Sequence, residues 1–146
     1  MHEIGPPTGR HCILELYGCD PDRLNDPEFA RTALQEASRR AGTTLLREVI
    51  HAFEPEGITA LALLAESHVS IHTWPEHGFA AIDFFTCGEQ TNPEAACRYL
   101  AEVFAPESHT LQTLHRGFPA PPPGAPRRRP APPTAFAHLE DGDTWW

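Results

Sequence analysis

The chain has 146 residues, 40% of them apolar, and a formal net charge of −9. That length supports one domain with its own core. The charge argues against a general phosphate-binding role and against a nucleic-acid partner, with Arg127–Arg129 as a local basic exception.

Residues 1–10 read as a lead-in, MHEIGPPTGR, without the apolar run of a secretory signal. His11–Tyr17 alternates like a strand, and Gly18-Cys19-Asp20-Pro21 turns the chain. Asn25 or Asp26 can cap a helix with Pro27 at its first position and Glu28 in its first turn. Phe29, Ala33, Leu34 and Ala37 share one face of that helix, which Gly42 ends. Thr43–Phe53 is a second strand, and Glu54-Pro55-Glu56-Gly57 is a turn. Ile58–Ala65 is almost wholly apolar, as in a central strand or one buried on both faces.

Val69–Trp74 alternates again until Pro75, and Glu76-His77-Gly78 turns into the strand Phe79–Thr86, which ends at Cys87-Gly88. Asn92 caps a second helix with Pro93 and Glu94 in its first turn and Ala96, Tyr99, Leu100 and Val103 on its apolar face. Ser108–Leu114 is a last strand. The order β-α-β-β-β-β-α-β predicts an α+β fold, a two-layer sandwich of a mostly antiparallel sheet with two helices on one face. A second copy is the simplest cover for the other face, so a homo-oligomer, in the first instance a dimer, is expected.

From Phe118 the composition changes, and half of the 16 prolines fall in 119–133. Residues 118–146 therefore read as an extended, disordered tail ending in Trp145-Trp146, which leaves residues 11–117 as the folded domain. No run approaches a membrane span, and a cytoplasmic setting follows. Cys12, Cys19, Cys87 and Cys97 form no CxxC pair and are expected as free thiols. All 11 basic residues are arginine. Without lysine the chain cannot itself form a lysine Schiff base, with a substrate or with pyridoxal phosphate, so any carbonyl chemistry needs another source.

The stretch Glu66-Ser67-His68-Val69-Ser70-Ile71-His72-Thr73-Trp74 concentrates reactive groups on a strand. Ser67, His72 and Asp83 could serve as nucleophile, base and orienter, although the G-x-S-x-G elbow is missing. His68, His72, His77 and Cys87 could ligate a metal, but His68 and His72 lie about 13 Å apart on an extended strand. A third reading is self-processing. Ser67 Oγ attacks the carbonyl of Glu66 to form an ester, elimination releases Glu66 as a new C-terminus and leaves dehydroalanine at residue 67, and hydrolysis with loss of ammonia turns that into a pyruvoyl ketone.

LYGCDPDRLNDPEF, HAFEPEG, AESHVSIHTWPE, FFTCG and HRG occur in this order between His11 and Gly117. Together they resemble the prokaryotic S-adenosylmethionine decarboxylase proenzyme family, which is pyruvoyl-dependent. The resemblance implies cleavage between Glu66 and Ser67, with Ser67 as the pyruvoyl precursor that forms the substrate Schiff base. It implies His72 as the processing base, Cys87 as the proton donor and Thr59 as an assistant in processing. It also implies an S-adenosylmethionine site at Phe53, Trp74 and Glu76, with no pyridoxal phosphate and no metal, and a product that feeds spermidine synthesis. The alternatives are that this chain is a pyruvoyl-dependent arginine or ornithine decarboxylase of the same fold, or an unprocessed, non-catalytic regulatory homologue. The chain departs from the family pattern at Ala60, where relatives commonly carry glycine, and in its tail.

Overall fold

A computed structural model describes residues 7–118 and Gly124. Alternation sets the inner face of each strand. In β1 (Thr8–Tyr17), Cys12, Leu14 and Leu16 are fully buried, and in β5 (Phe79–Cys87), Ala80, Ile82, Phe84 and Thr86 are buried. β2 (Leu45–Ala52), β3 (Ile58–Leu64), β4 (Ser67–Trp74) and β6 (Ser108–Gly117) complete an antiparallel sheet in the order β2-β3-β4-β5-β1-β6.

The inner face is covered by α2 (Pro27–Arg40) and α3 (Pro93–Phe104). Helix α2 packs over β2, β3 and β4, and α3 over β1, β5 and β6. Asp26 caps α2 by accepting from Glu28 N–H and Phe29 N–H, and Asn92 caps α3 by accepting from Ala95 N–H. The helices meet through Phe29 and Phe104, whose rings lie 5.1 Å apart edge to face. This is the expected α+β sandwich with both long helices on one face.

Several details differ from the sequence reading. Strand β1 begins at Thr8, not His11, because Thr8–Arg10 pair with His115–Gly117 of a β6 that runs past Leu114. The lead-in is correspondingly shorter. A one-turn helix, α1 (Pro21–Leu24), follows the first turn under an Asp20 cap, and it is tied to β4 where Thr73 Oγ1 donates to Leu24 O. Asp26, not Asn25, caps α2. β3 is buried on one face only and lies second from the sheet edge. Its outward Leu61 and Leu63 are 44% and 53% exposed, beside Val49 at 62%. The open face thus carries an exposed apolar strip.

Cys12, Cys19, Cys87 and Cys97 are free thiols, all buried except the half-buried Cys87. Among the described residues no helix is long and apolar enough to cross a membrane. Most of the 118–146 tail, including Trp145-Trp146, lies outside the described residues.

Candidate active site

Antiparallel pairing arranges the open face in cross-strand rows. One row reads Leu63, His68, Phe85, His11, Leu114, the next Leu61, Ser70, Asp83, Ile13, Gln112, and the next Thr59, His72, Ala81, Glu15, Thr110. The sequence-predicted residues fall at opposite ends of these rows.

At one end, β3 and β4 are joined through the two residues Ala65 and Glu66, so the Glu66–Ser67 peptide sits at a hairpin tip. The tip is held on three sides. Ala65 N–H donates to Thr44 O at 2.9 Å, Thr44 N–H donates to the Glu66 carboxylate at 2.9 Å, and Cys87 N–H donates to the Glu66 carbonyl oxygen at 2.9 Å. Ser67 has φ +151°, a backbone region that favours glycine. Such a residue stores on the order of 1–3 kcal/mol of strain, and the strain lies at the scissile bond of the self-processing reading.

Beside the tip, Ser67 Oγ lies 3.3 Å from His68 Nδ1, and His68 Nε2 lies 3.1 Å from Asp83 Oδ2. His11 Nε2 approaches the same oxygen at 2.8 Å, and Ser70 Oγ donates to Asp83 Oδ1. Burial pushes the Asp83 carboxyl up, but the hydrogen bonds from Ser70, His11 and His68 outweigh it and hold the group below its ordinary value. Arg116 stacks over Phe85 at 4.5 Å and reaches His11 Nδ1 at 3.4 Å. Cys87 follows Thr86, the cross-strand partner of Ser67.

At the other end, Thr59 Oγ1 lies 2.9 Å from His72 Nδ1. Trp74 and Phe53 are 38% and 50% exposed, Trp74 stacks on Phe79 at 5.4 Å, and Glu76 is exposed in the 3-10 turn Pro75–His77. Five residues of continuous strand separate Ser67 from His72, about 16 Å, and seven separate it from Trp74, about 23 Å. Between the two ends lies an open cleft of about 240 Å³ lined by His11, Glu15, Ser70, His72, Ala81 and Asp83.

The structure therefore sets Cys87 beside the Glu66–Ser67 peptide, through its N–H on the Glu66 carbonyl, and joins Thr59 with His72, but does not bring the two pairs together within one chain. Asp83 orients His68 and His11, not His72, because it lies in the row between theirs and that of His72. The hydrolase arrangement is thereby lost. His68, His72, His77 and Cys87 are spread over the length of the sheet, and among the described residues no group of three His, Cys, Asp or Glu converges on a metal position. Ala60 faces the helices and is fully buried, so this departure lies off the reactive face. His11 and Ser70 were invisible to spacing arguments, since only cross-strand register brings them to Asp83.

Gly9 pairs with Cys87, and a Cβ there would lie 2.6 Å from Thr86 O and 2.7 Å from the Phe85 ring. Gly9→Ala is expected to force β1 from β5 and to lower unfolding stability by about 1–3 kcal/mol in urea denaturation.

Residues 10–117 match the S-adenosylmethionine decarboxylase family model. The chain is 57% identical over 113 residues to an S-adenosylmethionine decarboxylase proenzyme of Parasynechococcus marenigrum (strain WH8102), which covers 77% of this chain and 88% of that protein. It is 41% identical over 118 residues to the proenzyme so named from Clostridium kluyveri, across 81% of this chain and 90% of the relative. The crystal structure of the adenosylmethionine decarboxylase from Aquifex aeolicus VF5 superposes with a TM-score of 0.73 at 36% identity, covering 80% of this chain and 96% of that one. The strained serine at a hairpin tip thus sits in a fold shared with the Aquifex structure, and the chain belongs to the S-adenosylmethionine decarboxylase family.

Proposed function

We propose that this chain is a self-processing, pyruvoyl-dependent S-adenosylmethionine decarboxylase whose product donates aminopropyl groups in spermidine synthesis. The observation that carries the reading is the state of the Glu66–Ser67 peptide. Its serine has φ +151°, and its carbonyl accepts a hydrogen bond from Cys87 N–H at 2.9 Å. That N–H is aimed where negative charge develops when Ser67 Oγ attacks, as an oxyanion donor must be. Relief of backbone strain on cleavage acts in the same direction.

The pyruvoyl group formed from Ser67 supplies a ketone that accepts electrons as carbon dioxide leaves the substrate. The surroundings fit that group. Cys87 stands next to the cross-strand partner of Ser67, half-buried, where its thiol can return a proton to carbon. Phe53 and Trp74 offer partly exposed aromatic faces to a sulfonium cation, and Glu76 offers a carboxylate to ribose hydroxyls. The net charge of −9 favours approach of a cationic substrate.

The working unit is a pair of copies packed through their open faces. Two arguments support this. Val49, Leu61 and Leu63 are exposed on that face, and His72 is about 16 Å from Ser67 along its own strand. A second copy turned about a two-fold axis can bring its Thr59–His72 pair to the Ser67 of the first, and its Phe53, Trp74 and Glu76 to the same place. His72 then removes the α-hydrogen of residue 67 from the ester, with Thr59 fixing its ring. Four free cysteines agree with a cytoplasmic setting.

Intact-mass analysis of purified protein is expected to give fragments 1–66 and 67–146, the latter without a free amine at its N-terminus. Carbon dioxide should be released from S-adenosylmethionine and not from arginine or ornithine. Release from either amino acid alone would overturn the substrate, and an inert, uncleaved chain would overturn the enzyme.

A further inference from the structure

The chain holds a second histidine closer to the reacting serine than His72, and its hydrogen-bond partners settle which nitrogen carries the proton. Arg116 is donor-only, so His11 Nδ1, 3.4 Å away, accepts from it and His11 bears its hydrogen on Nε2. That Nε2–H donates to Asp83 Oδ2 at 2.8 Å. The ionised Asp83 carboxylate can only accept, so His68 Nε2, 3.1 Å from the same oxygen, also carries its hydrogen. In the neutral ring the lone pair of His68 is then left on Nδ1, the atom 3.3 Å from Ser67 Oγ. Ser70 completes the carboxylate's shell on Oδ1.

We propose that His68 is the general base of the first step of self-processing, the acyl shift, and that Asp83 and His11 are its positioning residues. The proposal rests on the reading that the Glu66–Ser67 peptide is self-cleaved. The labour is then divided between two histidines. The Ser67 Oγ proton passes to His68 Nδ1 as Oγ bonds to the Glu66 carbonyl carbon, and the carbonyl oxygen takes the charge toward Cys87 N–H. The Glu66–Ser67 C–N bond breaks as His68 returns the same proton to the Ser67 nitrogen, which leaves an ester and a free amine with no net change of protons. His72 acts only afterwards, on the α-hydrogen of that ester. The first step is thus complete within one chain, while the second needs the other copy.

The test separates the steps by the intermediate each variant accumulates. Hydroxylamine cleaves an ester and leaves an amide intact. His68→Gln is expected to slow fragment formation by about 10² or more, and to accumulate a hydroxylamine-resistant chain. His72→Ala should accumulate a hydroxylamine-sensitive one. His68→Gly should regain cleavage when imidazole is added, an effect that a merely structural role would not produce. Asp83→Asn, whose amide can donate to Nε2 and reverse the tautomer, should also give a slow, hydroxylamine-resistant chain with an unchanged circular dichroism spectrum. The proposal is overturned if His68→Gln cleaves at the wild-type rate or accumulates the ester. An intact wild-type chain would overturn the self-cleavage reading and this step with it.

Discussion

Ser67→Ala is expected to leave one intact 146-residue chain that releases no carbon dioxide from S-adenosylmethionine. Alanine has neither the nucleophile for the acyl shift nor the oxygen that leaves in the elimination. No other group can supply the missing ketone, because the chain has no lysine through which to recruit pyridoxal phosphate. The loss should be at least about 10⁶-fold, the scale of a whole catalytic apparatus and not of one hydrogen bond. The fold should survive, since among the described residues the Ser67 hydroxyl pairs only with the exposed neighbouring His68. Intact mass and a carbon dioxide assay on the same sample check both halves. Cleavage of this variant at the same bond would remove Ser67 from the chemistry.

A mixture of two inactive variants should recover what neither has. Ser67→Ala lacks the nucleophile and His72→Ala lacks the base, so homodimers of either do not complete cleavage. In a mixed dimer, the His72→Ala chain keeps its Ser67 and faces the intact His72 of its partner. On co-expression about half of the chains should form mixed pairs, so about half of the His72→Ala chains should appear as two fragments. The Ser67→Ala chains should remain whole. The expectation rests on the strand geometry and on the proposed pairing of open faces, because a continuous β4 cannot fold back over the distance from residue 67 to 72. Recovery should fail where Val49→Glu or Leu61→Glu prevents association, which sedimentation velocity would report. If His72→Ala alone forms fragments at the wild-type rate, the base is elsewhere.

Much of this fold can be read from local pattern. The caps at Asp26 and Asn92, the prolines after them and the alternation of β1, β4 and β5 are short-range signals, and they place each element, although β1 and β4 begin earlier, at Thr8 and Ser67, than the alternation marks. What local pattern does not carry is pairing across the chain. The strand extensions at Thr8–Arg10 and His115–Gly117 exist because each supplies the other's hydrogen bonds, and neither segment alternates strongly by itself. The same limit applies to the site. Ser67 and His72 look adjacent in sequence, yet an extended backbone carries them apart. His11 and Asp83 are 72 residues apart in sequence and share a hydrogen bond. The run of apolar residues in β3 suggests burial on both sides, but the chain buries only its helix-facing half, and the outward Leu61 and Leu63 stay about half-exposed.

The strand order has a consequence for the life of the protein after cleavage. With the proposed cut between Glu66 and Ser67, β1, β2 and β3 would belong to residues 1–66 and β4, β5 and β6 to residues 67–146, yet β1 lies between β5 and β6. The two products are therefore interwoven within one sheet, and the larger piece cannot keep β6 beside β5 without the smaller. Folding happens once as a unimolecular event, whereas the mature enzyme, if denatured, must reassemble from separate pieces. Its recovery then depends on concentration, as for any two-component assembly. Such a cut would turn one chain into two pieces that share a fold only while it stays folded.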